Sequence, residues 1–183
     1  LVISASPNTD GLTAACAASA LAGGAAAGAA AKHFDLCRLT IGRCRQCGNG
    51  WGQCRVQHTC IIDDDLAQIQ ALLPETKGIV FITPVYYGEL AESAKCFLDR
   101  LRRCESTLGE GCRFSGIPVV AVAAAGGGGG GVTSCLAQLE RYIHPLRGRV
   151  ADLIGITRFT RAYTLAHIRN AAEALAAPVQ AEA

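Results

Sequence analysis

The chain has 183 residues, a formal net charge of +2, half of its residues hydrophobic and 17% of them charged. That composition suits one folded domain over 1–183 and excludes intrinsic disorder, and the near-neutral charge without a long Lys/Arg run gives nucleic acid no electrostatic foothold. The longest uncharged stretch, 11–31, is mostly Ala and Gly and lacks the Leu, Ile, Phe and Val that drive insertion, so no membrane span is expected.

In chain order, LVISAS (1–6) is a short β-branched run that reads as a buried strand. PNTDG turns the chain into an Ala-rich helix over about 12–30, weakened by Gly23 and Gly24. HFDLCRL (33–39) is a second strand, followed at 41–60 by a Cys- and Gly-rich loop without periodicity. Asp63, Asp64 and Asp65 start a helix reaching Leu73, because acidic residues favour the first turn; a hard-cation site is the less economical reading. KGIVFITPVYYG (77–88) is strand then turn, and a helix runs from Leu90 to Cys104. Ile117–Ala124 is another apolar strand, running into six consecutive glycines at 126–131. A helix over 133–145, a fifth strand near 150–156 and a helix over 163–176 complete the chain. Such alternation predicts an α/β fold with a parallel sheet, helices on both faces and strand order 2-1-3-4-5.

In such sheets ligands bind beyond the carboxyl ends of the strands, which directs attention to three connections. The first offers the hydroxyls of Ser4, Ser6 and Thr13, with Gly11 allowing close approach at a helix start suited to phosphate; an ordinary turn and helix cap is the alternative. The second, Pro84-Val85-Tyr86-Tyr87-Gly88, could wall a flat aromatic ligand with its tyrosine pair, or those rings could pack on a neighbour. The third, the glycine run, reads as a floppy linker or as backbone brought close to a ligand, and its place between buried strand and helix favours the second.

The pattern S-x-SPxxxGxT, then TPVYYG followed by KCFLDR at 95–100, then the Gly-rich loop, resembles the flavodoxin-like NAD(P)H-dependent FMN reductase family over residues 1 to about 155. The resemblance implies FMN, with its phosphate on the loop containing Ser4, Ser6, Asn8, Gly11, Leu12 and Thr13. Its ring would lie between Pro84–Gly88 and Ala125, Gly126, Gly127 and Gly128. Leu12 departs from the Asn that many relatives carry, which removes a side-chain donor and leaves the backbone cradle. It also implies NAD(P)H as co-substrate, a quinone, flavin or other small acceptor, and a homodimer or homotetramer with the flavin near a subunit boundary. The contrasting reading is an electron carrier between proteins, of flavodoxin or iron–sulfur flavoprotein type. The flavin would carry the chemistry, so no catalytic side chain is required.

Ten cysteines are many for a chain that otherwise reads as α/β, and no charged, apolar leader opens it at Leu1. A reducing cytoplasm is therefore expected, where clustered thiols mean metal or redox chemistry. Cys44, Cys47, Cys54 and Cys60 are spaced C-x2-C-x6-C-x5-C, and the cysteine-rich loop resembles the iron–sulfur flavoprotein branch. The compact motif of that branch would place a third Cys near Gly50 rather than at Cys54. A 4Fe–4S cluster, a zinc ion tying the loop, and free or disulfide-paired cysteines without metal all remain open. Trp51 would cover a flavin or pack in a dimer contact, and His58 would ligate metal or be solvated. Cys16, Cys96 and Cys135 fall on helices and read as small apolar residues, and Asp99 and Arg100 are expected to pair, on a helix or across an interface.

Overall fold

The computed structural model describes residues 1–177; the end of the span expected to form one domain, 178–183, lies outside the described residues. The strands are β1 (Val2–Ser4), β2 (His33–Asp35), β3 (Ile79–Tyr86), β4 (Glu89–Leu90), β5 (Pro118–Ala125) and β6 (Arg149–Thr157). The helices are α1 (Leu12–Ala26), α2 (Gln53–Val56), α3 (Leu66–Leu72), α4 (Glu92–Glu105), α5 (Val132–Ile143) and α6 (Arg161–Ala176). The sheet runs β2-β1-β3-β5-β6, all parallel, which is the expected order once β4 is set aside. That sixth strand is an addition to the expected five: two residues pair antiparallel with Val85 and Tyr86.

The continuous apolar runs are buried because both faces of the sheet are covered. On one face Ile3, Phe81, Val119 and Ala121 pack against Leu66 and Ile69 of α3, Phe97 and Leu101 of α4 and Leu139 of α5. On the other, Val2, Val80, Ile82 and Val122 pack against Cys16, Ala17 and Ala20 of α1 and Ile168 of α6. Among the described residues, no helix is long and apolar enough to cross a membrane.

The first helix ends at Ala26, short of residue 30, because Gly28 adopts φ 74° and the chain reverses there. Gly23 has a packing role that outweighs its low helix propensity. A Cβ at that position would lie 2.1 Å from the backbone oxygen of Arg169, so α1 and α6 meet backbone to backbone. Gly23→Ala is expected to destabilise the protein by about 1–3 kcal/mol through overpacking. Gly24→Ala, which would meet only the Ala31 methyl at 3.3 Å, is expected to cost less. Urea unfolding of the two variants checks this contrast.

Candidate functional site

Because β1, β3 and β5 are parallel neighbours, the connections leaving their carboxyl ends share one rim of the sheet. In the first, the Ser6 hydroxyl accepts from the Asn8 N–H (3.2 Å) and the Asn8 side-chain carbonyl from the Asp10 N–H (3.3 Å), which folds the turn on itself. Ser4 Oγ lies 2.9 Å from His33 Nε2 on the edge strand. Helix α1 begins after Gly11 with no side-chain cap and no acidic residue in its first turn. Its leading N–H groups are therefore left for an anion, beside the buried hydroxyl-bearing residues Ser4, Ser6 and Thr13. Leu12 packs its side chain against the apolar core and has only its backbone N–H to offer this rim.

The second connection is a hairpin. Tyr87 and Gly88 both have positive φ (55° and 85°), the two-residue turn that suits the twist of paired strands. A bulky residue held in that region costs of order 1–3 kcal/mol, and such strain concentrates at functional sites. The Thr83 hydroxyl fixes the base of the hairpin, accepting from the Ala91 N–H at 3.1 Å. Tyr87 is fully exposed and Tyr86 about half (47%), so both rings stand free at the rim.

The glycine run is not a floppy linker. Gly129 and Gly131 are left-handed (φ 99° and 83°), and Gly131 abuts the second connection: a Cβ there would stand 2.5 Å from Gly88 Cα. Ser134 donates to the Gly88 carbonyl at 2.9 Å and the Gln138 amide donates to it at 3.1 Å. A Cβ placed on Gly126 or Gly127 would meet nothing within 4 Å, so that backbone faces open space. Gly131, Ser134 and Gln138 escape sequence reasoning, since six identical glycines carry no positional signal. The Tyr-Gly pair after a strand is a usable hairpin signal.

The cysteine segment is pinned to α4. The Arg100 side chain is 1% exposed and that of its partner Asp64 4%. Arg100 Nη1 donates to Asp64 Oδ2 (2.5 Å) and to Gly42 O (3.0 Å), and Nη2 to Asp64 Oδ1 (3.0 Å) and Ile62 O (3.3 Å). Its Nε–H donates to the Cys60 sulfur at 3.3 Å. Asp64 does stand at the helix start, its Oδ1 accepting from the Leu66 N–H of α3 at 3.2 Å, and it is in addition the buried ion-pair partner of Arg100. One expectation is corrected: Asp99 pairs with Lys95 (2.5 Å) and Tyr142 (2.7 Å), not with Arg100. Trp51, 37% exposed, is flanked by the guanidinium groups of Arg103 and Arg55 at 4.8 and 5.9 Å. His58 is partly buried, with Nδ1 2.9 Å from the Thr107 hydroxyl.

Burial alone would raise the Asp64 carboxyl. Hydrogen bonds from Arg100 and from the Gly42 and Leu66 N–H groups, with the Arg100 charge, outweigh it and hold the pKa below its ordinary 3.8. The folded value is the lower one, so this stabilisation is complete above the unfolded value and is lost as pH falls through the folded one. The urea midpoint is expected to decline below about pH 4, and to decline less in Asp64→Asn.

Cys44, Cys47, Cys54 and Cys60 line one hollow together with Cys104, Arg100 and Arg103. Its volume is about 20 Å³, room on the order of a single water. Among the described residues, no three His, Cys, Asp or Glu side chains gather as a metal-ligand set. Of the readings left open for these cysteines, the segment as folded does not fit the 4Fe–4S cluster or the zinc ion. Burial pushes the thiols of Cys16 and Cys135 up to about 12 and about 11, which keeps both as inert apolar groups. Cys96 is only partly buried.

The family model described as NADPH-dependent FMN reductase matches residues 1–152 of the chain. An iron–sulfur flavoprotein of Archaeoglobus fulgidus is 34% identical over 71 residues, covering 39% of this chain and 34% of that protein. One from Methanocaldococcus jannaschii is 30% identical over 100 residues, covering 55% and 50%. The chain thus spans a third to a half of the length of these relatives. Among solved structures, an NAD(P)H:quinone oxidoreductase from Methanothermobacter marburgensis superposes with a TM-score of 0.73 at 14% identity, covering 99% of this chain and 97% of that one. The two-electron reduced flavodoxin of Megasphaera elsdenii gives 0.60 at 15% identity, covering 96% and 98%. At these identities the structures show a shared flavodoxin-like fold.

Proposed function

The chain belongs to the NADPH-dependent FMN reductase family, and from that membership we propose an FMN-dependent oxidoreductase that draws electrons from a reduced nicotinamide and passes them to a small acceptor such as a quinone or a flavin. The observation that carries this reading is the rim itself. An uncapped helix start with hydroxyls lies at one connection, and a glycine backbone facing open space is locked to a strained hairpin at the next two. Those features fit a ligand with an anionic end and a flat polar ring. The N–H groups of the α1 start and the hydroxyls of Ser6 and Thr13 would hold the phosphate of FMN. Pro84–Gly88 and Ala125–Gly128 would border its ring, their peptide groups meeting the polar edge.

When bound, FMN supplies the redox chemistry, accepting a hydride equivalent and releasing electrons. The chain's own work is to bind the phosphate, hold the ring against a rigid backbone wall, and leave one approach open beside the exposed Tyr86 and Tyr87 for nicotinamide and acceptor in turn.

The test is reconstitution. The protein titrated with FMN is expected to quench flavin fluorescence at one flavin per chain, and the complex to oxidise NADPH or NADH in the presence of a quinone. FMN binding without nicotinamide oxidation would favour the electron-carrier reading, and no flavin binding would overturn both.

A further inference from the structure

The mismatch between the cysteine segment and a metal centre points to a different use for its thiols. All ten cysteines are free thiols. Four of them fall within residues 44–60 and line the same narrow hollow, with none of the room a cluster needs. We propose that this segment is a dithiol redox site, in which Cys60 is the attacking sulfur and closes a disulfide with Cys44, Cys47 or Cys54 when a hydroperoxide oxidises it.

Two further observations support this assignment. The first is the use of Arg100. Four of its five N–H groups donate to oxygens, and the fifth, on Nε, has the Cys60 sulfur as its partner. A neutral thiol is a weak acceptor for a buried guanidinium donor. The same donor stabilises negative charge on that sulfur, which is greatest before it attacks and again when it leaves in the reverse, reducing direction. The second is how the segment is held. Arg103 donates to Gly50 O, Thr107 to Cys54 O (3.2 Å) and Arg113 to His58 O (2.9 Å), all from the α4 side. The backbone is anchored along one side while Cys44, Cys47, Cys54 and Cys60 stay partly exposed to a small oxidant. Cys104 differs: burial first, then the neighbouring Cys60 and Cys54, push its thiol up to about 12, so it stays a spectator.

The chemistry balances without a metal. The Cys60 sulfur attacks one oxygen of the hydroperoxide, the O–O bond breaks, an alcohol (water from hydrogen peroxide) leaves, and Cys60 becomes a sulfenic acid. A second cysteine sulfur attacks that sulfur, the S–S bond forms, and the hydroxyl departs as water. Two thiols give up two electrons and two protons, and the hydroperoxide takes up both.

The experiment counts thiols in the full chain and does not depend on flavin binding. Reduced, desalted protein is treated with one equivalent of hydrogen peroxide, denatured, and titrated with an aromatic disulfide reagent. Loss of two thiols per chain is expected, reversed by dithiothreitol, with the cross-linked peptide mapping within residues 44–60. Cys60→Ser is expected to lose none, and Cys104→Ser to lose two as the unaltered protein does. Circular dichroism confirms that each variant is folded, and the peptide map of the unaltered chain stands even if Cys60→Ser is not. No paired loss, or a bridge outside the segment, overturns the proposal. So does an iron–sulfur chromophore that survives gel filtration after anaerobic incubation with ferrous iron and sulfide, because the thiols would then be cluster ligands.

Discussion

Replacing Arg100 by Met is expected to destabilise the protein by about 3–5 kcal/mol, the cost of leaving a buried charge without its partner. The side chain is fully used: its five N–H groups reach Asp64 twice, Gly42 O, Ile62 O and the Cys60 sulfur. Met fills much of the same volume but supplies no donor, so the Asp64 carboxylate and two carbonyls are stranded together. Lys does not rescue it, since one ammonium cannot reproduce the planar fork that serves Asp64 from two nitrogens. Urea unfolding of Arg100→Met, Asp64→Leu and the double variant separates the pair from its surroundings. The double variant is expected to lose less than the sum of the singles, because removing both charges leaves neither unpaired. A loss below about 1 kcal/mol for Arg100→Met, the range of an exposed pair, would show that the two charges are solvated.

This ion pair also marks the limit of what the sequence makes legible. The strands at 79–82 and 117–124 stand out because continuous apolar runs mean burial on both sides, and the parallel order follows from the alternation with helices. Local chemistry likewise points to the turn after β1 and to the glycine run after β5. Arg100 and Asp64 are 36 residues apart, and each has a plausible local role: one beside Asp99 on a helix, the other in an acidic helix start. Nothing in local spacing favours the distant partner over the near one. The same holds for Gly88 and Gly131, whose contact exists only because β3 and β5 are neighbours in the sheet. The cysteine segment shows the converse failure: a spacing that resembles a metal motif folds into a hollow with little room.

The second large effect concerns that glycine contact. Gly131→Ala is expected to weaken FMN binding at least tenfold while leaving the fold intact. Gly131 has φ 83°, which an L side chain adopts only with strain, and its Cβ would stand 2.5 Å from Gly88 Cα and 2.8 Å from Gly88 N. Neither neighbour is the flexible tip of a side chain, so relief requires the third connection to move away from the second. That motion stretches the bonds from Ser134 and Gln138 to Gly88 O and opens the wall between the two loops. Backbone strain of order 1–3 kcal/mol corresponds to roughly five- to 150-fold in affinity if it is expressed in the bound state. Gly130→Ala is the control: no atom lies within 4 Å of its Cβ position and its φ is not positive. Flavin fluorescence titration of the two variants, alongside their thermal unfolding, reads the difference. Equal affinities would mean that the hairpin and the glycine run are joined for stability alone, and that the ring is held elsewhere on the rim.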